Sequence, residues 1–189
     1  MGTIIAIMGI DGSGKSSLIK RLPLESRHFY SALSKSRDSK LSGGMQKRKD
    51  IRSNKIRWFL GYLIRVVIPN ILFILKIKYF SKKLVLYDRF IFDTVVSLNS
   101  ASKKNILEKI MLLFLNLFPK PNFIIFLSID PVIAYERTGE FGVEVLRRKQ
   151  NELRQVLSLE RNVHEFEVTN SSESALNLIR ELGEEENLT

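Results

Sequence analysis

The sequence predicts an α/β fold, a parallel sheet flanked by helices, on three observations. Short apolar runs alternate with longer helical patterns along the 189 residues, the order that βαβ units produce. The first of those runs leads directly into a glycine-rich loop, "GIDGSGKSS" from Gly9 to Ser17, with a helical pattern after it. No repeat, low-complexity tract or linker divides the chain, and a 44% hydrophobic content suffices for one full core. A single domain over residues 1–189 is therefore expected.

The candidate strands are Thr3 to Met8, Phe29 to Leu33, Lys83 to Tyr87, Phe123 to Ile129 and Glu165 to Val168, which would make a five-stranded parallel sheet. Lys15 to Leu22 reads as a helix stopped by Pro23, whose ring removes a backbone donor. A second helical pattern runs from Lys103 to Phe118 and closes at Pro119 and Pro121. Asp130 is a good N-cap with Pro131 at the first helical position; Gly139 to Gly142 then interrupts the pattern before a long polar helix from Val143 to about Glu160. Between these lies "IRWFLGYLIRVVIPNILFILKIKYF", Ile56 to Phe80, nearly apolar from Trp58 to Leu75 and close to the ~20 residues that span a bilayer. Arg65 near its centre and Pro69 argue against a span, because a guanidinium in hydrocarbon is costly. The expectation is two consecutive core helices joined near Pro69 and Asn70, with an interfacial role for the basic and aromatic ends as the other reading.

Composition narrows the chemistry. The absence of cysteine excludes disulfides, thiolate metal sites and a cysteine nucleophile, and His28 and His164 have no paired-ligand spacing, so zinc is not expected. No secretory signal pattern follows Met1, which points to the cytoplasm. A formal charge of +10 suits a polyanionic partner. Cations crowd the segment from Lys35 to Arg57, read as a solvated face, while an acidic tail, residues 183–189, carries Glu184, Glu185 and Glu186.

Gly9-x-x-x-x-Gly14-Lys15-Ser16 is a P-loop in the right context, strand before and helix after. Gly9, Asp11, Gly12, Ser13, Gly14, Lys15, Ser16 and Ser17 are the expected ATP-binding set. Backbone N–H groups of such a loop turn inward around phosphates, and the helix N-terminus adds partial positive charge. Lys15 is expected to face solvent and reach the β and γ phosphates, with the Ser16 hydroxyl on Mg2+. The strand in "KLVLYDRF" ends in Asp88, a second magnesium candidate, followed by Arg89. A cation there suits a negatively charged acceptor better than an attacking water.

"GIDGSGKSSL", "LYDRF", "FLSIDPVIAYER" and "VTNSSESALNLI" together resemble the thymidylate kinase family of nucleoside monophosphate kinases over most of the chain. The resemblance implies a P-loop NTPase fold and ATP- and Mg2+-dependent phosphoryl transfer to a nucleotide, dTMP to dTDP or a related one. It implies that Asp11 contacts the acceptor sugar, that Arg89 contacts the acceptor phosphate and that Arg137 opens a lid of about residues 137–150. The family carries its catalytic arginine either in the P-loop or in the lid. Gly12 follows Asp11 here, so the charge is expected from the lid: Arg137, with Arg147 and Arg148 as further candidates. The catalytic set implied is Lys15, Arg89 and Arg137. Other family features are replaced: the Arg-Glu-Pro-Gly-Gly segment is absent, "WFLGYLIR" stands where the thymine-reading stretch would be, and "DRFIFDTVVSLN" supplies Asp93, Ser97 and Leu98 downstream. The phosphate machinery is kept and the base-reading residues are changed. A kinase of this fold acting on a modified nucleotide or a lipid- or sugar-linked acceptor is the nearest alternative, and an ATPase or interaction protein with a basic patch is the alternative from another class. Small-molecule nucleotides are the expected partners, with a homodimer and a peripheral membrane contact left open and nucleic acid disfavoured.

Overall fold

The computed structural model describes residues 2–22, 25–28, 61, 63–99, 118–168 and 173–187. Strand β1 (Thr3–Gly9) is buried along its whole length, as a central strand covered on both faces must be. It pairs in parallel with β3 (Leu84–Asp88) on one side and with β4 (Phe123–Ser128) on the other. The short β2 (Glu25–His28) extends β3, and β5 (Val163–Glu167) extends β4, giving the order β2-β3-β1-β4-β5. Register sets Ile7 beside Asp88 and Gly9 beside Leu127, so the carboxyl ends of β1, β3 and β4 meet at one edge.

The helices are α1 (Lys15–Lys20), α2 (Ile68–Phe80), α3 (Ile91–Asn99), α4 (Pro131–Thr138), α5 (Val143–Leu157) and α6 (Glu173–Asn187). Asp130 caps α4, its carboxylate accepting from the Val132 N–H at 2.8 Å, with Pro131 in the first turn and Gly139 left-handed at the end. Helix α5 turns Leu146, Gln150, Leu153 and Leu157 inward, the spacing of one helical face. Edge-to-face contacts of Tyr87 with Phe73 and Phe90, and of Phe90 with Phe118, tie α2 to the end of β3, and the Tyr87 hydroxyl donates to Asn70 Oδ1 at 3.2 Å. That cluster lies directly under Asp88 and Arg89 in the chain and so anchors the site edge.

Several expectations are corrected. The strand beside β3 is Glu25–His28; Phe29 to Leu33 lies outside the described residues, as do Lys103 to 117 and Pro23. Helix α1 ends at Lys20, and Arg21 and Leu22 continue in tighter turns that bond to Leu18 and Ile19. Strand β5 starts two residues before the expected Glu165 and α5 stops at Leu157. Residues 183–187 of the acidic tail lie within α6. Pro69 does not separate two helices: it sits in the first turn of α2, where a proline has no intrahelical bond to break, and a π-helical turn, Leu63–Val67, precedes it. Nor is this segment wholly core. Val67, Ile74 and Ile77 are buried, but Ile64, Ile68, Leu72, Tyr79 and Phe80 are exposed. Among the described residues no helix is long and apolar enough to cross a membrane.

Candidate active site

The loop between β1 and α1 is held from below. The Lys15 ammonium donates to the carbonyls of Gly9 at 2.9 Å and Ile10 at 2.6 Å and to Ser13 Oγ at 3.4 Å. Lys15 is thus buried, at 6% exposure, not solvent-facing as expected. Two of the loop's carbonyls, those of Gly9 and Ile10, turn toward the ammonium, and the Ser13 N–H closes the loop on the Ile10 carbonyl at 3.2 Å. Burial, with Arg89 adding repulsion, lowers the Lys15 pKa to about 8, against the opposing pull of Asp11 and Asp93.

Gly12 carries a second constraint. Its φ is +86°, and a Cβ there would lie 2.7 Å from the Ala134 carbonyl oxygen and 3.0 Å from Ala134 Cα. The backbone of α4 therefore occupies the space a side chain at position 12 would need. From that same helix, one turn on, Arg137 reaches back and donates to the Gly12 carbonyl at 3.3 Å. Helix α4 thus lays an arginine across the loop at Gly12.

Arg89 follows β3 in a left-handed conformation, φ 62°, uncommon for a side chain of this size. Its N–H donates to the Ile7 carbonyl at 3.1 Å, which locks the turn, and its guanidinium is shared between two carboxylates. One nitrogen donates to Asp93 Oδ2 at 3.0 Å, and the other is hydrogen-bonded to Asp11 Oδ1. The second Asp11 oxygen accepts from Lys149 Nζ at 3.1 Å, from the first half of α5. Burial alone would raise the Asp11 pKa, but Lys149, Arg89 and Lys15 outweigh it and hold the carboxyl at about 2. Burial likewise opposes the charge on Arg89, and Asp93 and Asp11 raise its pKa further above the ordinary range.

These groups border one cleft of about 540 Å³, lined by Asp11, Gly12, Gly14, Lys15, Ser16, Ser17, Asp88, Arg89, Arg137, Thr138 and Glu140. Gly9 and Ser13 lie beneath it as acceptors for Lys15. Arg147 and Arg148 are not part of the lining: Arg147 donates to Glu144 at 2.9 Å, and both are exposed on α5. Lys149, Thr138 and Glu140 are the residues that sequence reasoning did not single out; Asp93, noted there only as a replacement downstream of Arg89, is the residue that holds its guanidinium. Among the described residues no cluster of three or more His, Cys, Asp or Glu is arranged for a metal ion. The pair Ser16 and Asp88, a hydroxyl and a carboxylate on one cleft, nevertheless fits magnesium, a hard cation that keeps several waters and takes one or two protein oxygens beside phosphate.

The fold and the loop geometry define an α/β protein of the thymidylate-kinase-like fold, with a parallel sheet flanked by helices. Among solved structures the chain is similar to a thymidylate kinase from Candida albicans, with a TM-score of 0.64 at 15% identity, covering 98% of this chain and 92% of that one. No family model matches the sequence, and no curated protein matches it.

Proposed function

We propose that the protein transfers the γ-phosphoryl group of ATP to the phosphate of a nucleoside monophosphate, dTMP or a related nucleotide, through one kinase domain. The observation that carries this reading is the convergence of Lys15, Arg89 and Arg137 with Ser16 and Asp88 on one cleft. Three cations border this one cleft of about 540 Å³. They match two phosphates brought together, a donor over the P-loop and an acceptor at Arg89.

An acceptor phosphate oxygen, ionised near neutral pH, attacks the γ-phosphorus in line; the bond to the β–γ bridging oxygen breaks and ADP leaves with that electron pair. Lys15 lifts from the loop carbonyls to the β and γ phosphates. Arg137 moves from the Gly12 carbonyl to the bridging oxygen where charge develops. Magnesium, held by Ser16 and Asp88, would offset charge on the donor phosphates. Arg89 exchanges Asp11 for the acceptor phosphate and stays aimed by Asp93. Lys149 keeps its hold on Asp11, leaving that carboxylate fixed for an acceptor hydroxyl, so Lys149 is a positioning residue. The lid of about residues 137–150 comprises the last turn of α4, the Gly139 to Gly142 connection and the first half of α5, and its closure over both substrates excludes water.

A panel of nucleoside monophosphates, nucleosides and sugar- or lipid-linked phosphates, assayed for ADP release with ATP and magnesium, tests this reading. A nucleoside monophosphate that accelerates ADP release at least tenfold is the expected result. Acceleration only by a sugar- or lipid-linked phosphate would reassign the acceptor within the same fold, and none by any acceptor would reject transfer.

A further inference from the structure

Helix α2 is apolar on nearly every side, and its deeply buried and its exposed apolar side chains lie on opposite faces. Val67, Ile74 and Ile77 enter the core, while Ile68, Leu72 and Tyr79, at intervals of four and seven residues, form one outward stripe. Ile64, in the preceding π-helical turn, extends the stripe at one end with 56% exposure against 47%, 62% and 64% for Ile68, Leu72 and Tyr79, while Phe80, 86% exposed at the end of the helix, lies about 100° round from Tyr79. Four large apolar side chains exposed along one stripe, with a fifth beside them, are unlike the scattered exposed residues of an ordinary surface.

The charges around the stripe indicate what covers it. From Ile51 to Tyr87 the sequence contains no Asp or Glu. Arg65 stands exposed at one end of the stripe, Lys76 beside it, and Lys82 and Lys83 follow it. Lys78 points elsewhere, its ammonium donating to the Lys120 carbonyl at 2.6 Å. Two copies of this face brought together would oppose cation to cation. An anionic, apolar surface satisfies both halves of the pattern.

We infer that α2 docks on the surface of an anionic lipid bilayer, lying in the interface with Ile68, Leu72 and Tyr79 among the acyl chains and Arg65, Lys76 and Lys82 at the headgroups. Aromatic residues and long cationic side chains at the ends of an apolar stripe are the pattern of an interfacial helix. At 13 residues, α2 is too short to span the hydrocarbon core. Lipid contact on its outer face is compatible with core contact on its inner face, since the two stripes do not share residues. This inference does not depend on the kinase reading.

The test is co-sedimentation of the full chain with vesicles of phosphatidylcholine alone or of phosphatidylcholine mixed with phosphatidylglycerol, whose negative surface potential attracts lysine and arginine. Expected is binding to the anionic vesicles only, released by high salt. The double variant Lys76→Gln/Lys82→Gln, which touches no core residue, should weaken it by roughly thirtyfold, from two surface cations at the usual strength. Leu72→Glu should abolish it while the circular dichroism spectrum stays that of the wild type. No binding to anionic vesicles at low salt would overturn the inference. So would equal binding to neutral vesicles, binding unchanged in the lysine variant, or a dimer in sedimentation that Leu72→Glu alone dissociates.

Discussion

Replacing Asp11 by Asn keeps the side chain's size and removes the charge that Arg89 and Lys149 share. The carboxyl is held at about 2, against an ordinary 3.8, because those cations and Lys15 outweigh its burial. Since the native pKa lies below the unfolded one, the stabilisation is fully present above about pH 4 and is lost as pH falls toward 2. A difference of nearly two units corresponds to about 2 kcal/mol at neutral pH, and roughly half of it should remain at pH 3. Asp11 is largely shielded, with 16% of its side chain exposed, so solvent screening discounts this little. Urea unfolding of wild type and Asp11→Asn, followed by circular dichroism at pH 7, 5, 3 and 2.5, measures the gap directly. It should be widest and constant at pH 7 and 5 and close progressively below. A gap as large at pH 2.5 as at pH 7 would show that Asn fails through lost shape or hydrogen bonds, and would refute the electrostatic account of the network. Loss of Asp11 also removes a carboxylate that supports the Lys15 charge.

Three further outcomes follow from the same geometry. ATP affinity should be flat below about pH 8 and fall about tenfold per unit above it, because Lys15, lowered to about 8 by burial, must be protonated to pair with phosphate; calorimetry that finds constant affinity to pH 9.5 would contradict this. Gly12→Ala should lose about 1–2 kcal/mol from its left-handed backbone alone, and more from the 2.7 Å approach to Ala134, which pushes α4 and Arg137 off the loop; an unchanged melting temperature with unchanged turnover would deny that packing. Lys15→Ala should abolish transfer and, by taking the ammonium from the Gly9 carbonyl and leaving the Ile10 carbonyl with only the Ser13 N–H, also lower stability by about 1–3 kcal/mol in thermal unfolding.

What the sequence made legible is whatever rests on local pattern. The central strands are continuous apolar runs because both faces are covered, and the P-loop spacing is read off four specified positions, Gly9, Gly14, Lys15 and Ser16. The edge strand β2, "ESRH", pairs on one side only, so nothing required an apolar run, and the neighbouring Phe29 to Leu33 drew the expectation instead. Arg89 was visible as the residue after the third strand, but its left-handed backbone left no trace in "YDRF". Lys149 lies 138 residues from Asp11, with no local signal joining them. A helical wheel of α5 holds one clue: Lys149 falls about 60° from the buried stripe of Leu146, Gln150 and Leu153, whereas Arg148 falls nearly opposite to it. A long side chain at the border of a buried face is placed to reach across into a neighbouring site. An arginine pair on the polar side is not.

The central claim is that the cleft moves a phosphoryl group between two phosphates and does not pass it to water. ATP labelled at the γ phosphorus, incubated with the accelerating nucleoside monophosphate, reports the destination of the group. The label should appear on the acceptor, with slow release of inorganic phosphate when the acceptor is omitted. Arg137→Ala should lower the transfer rate by on the order of 10³-fold or more, as when a transition-state arginine is lost, while Arg89→Ala should chiefly raise the acceptor concentration required. Label found in inorganic phosphate at a rate that neither the acceptor nor either substitution changes would contradict the account.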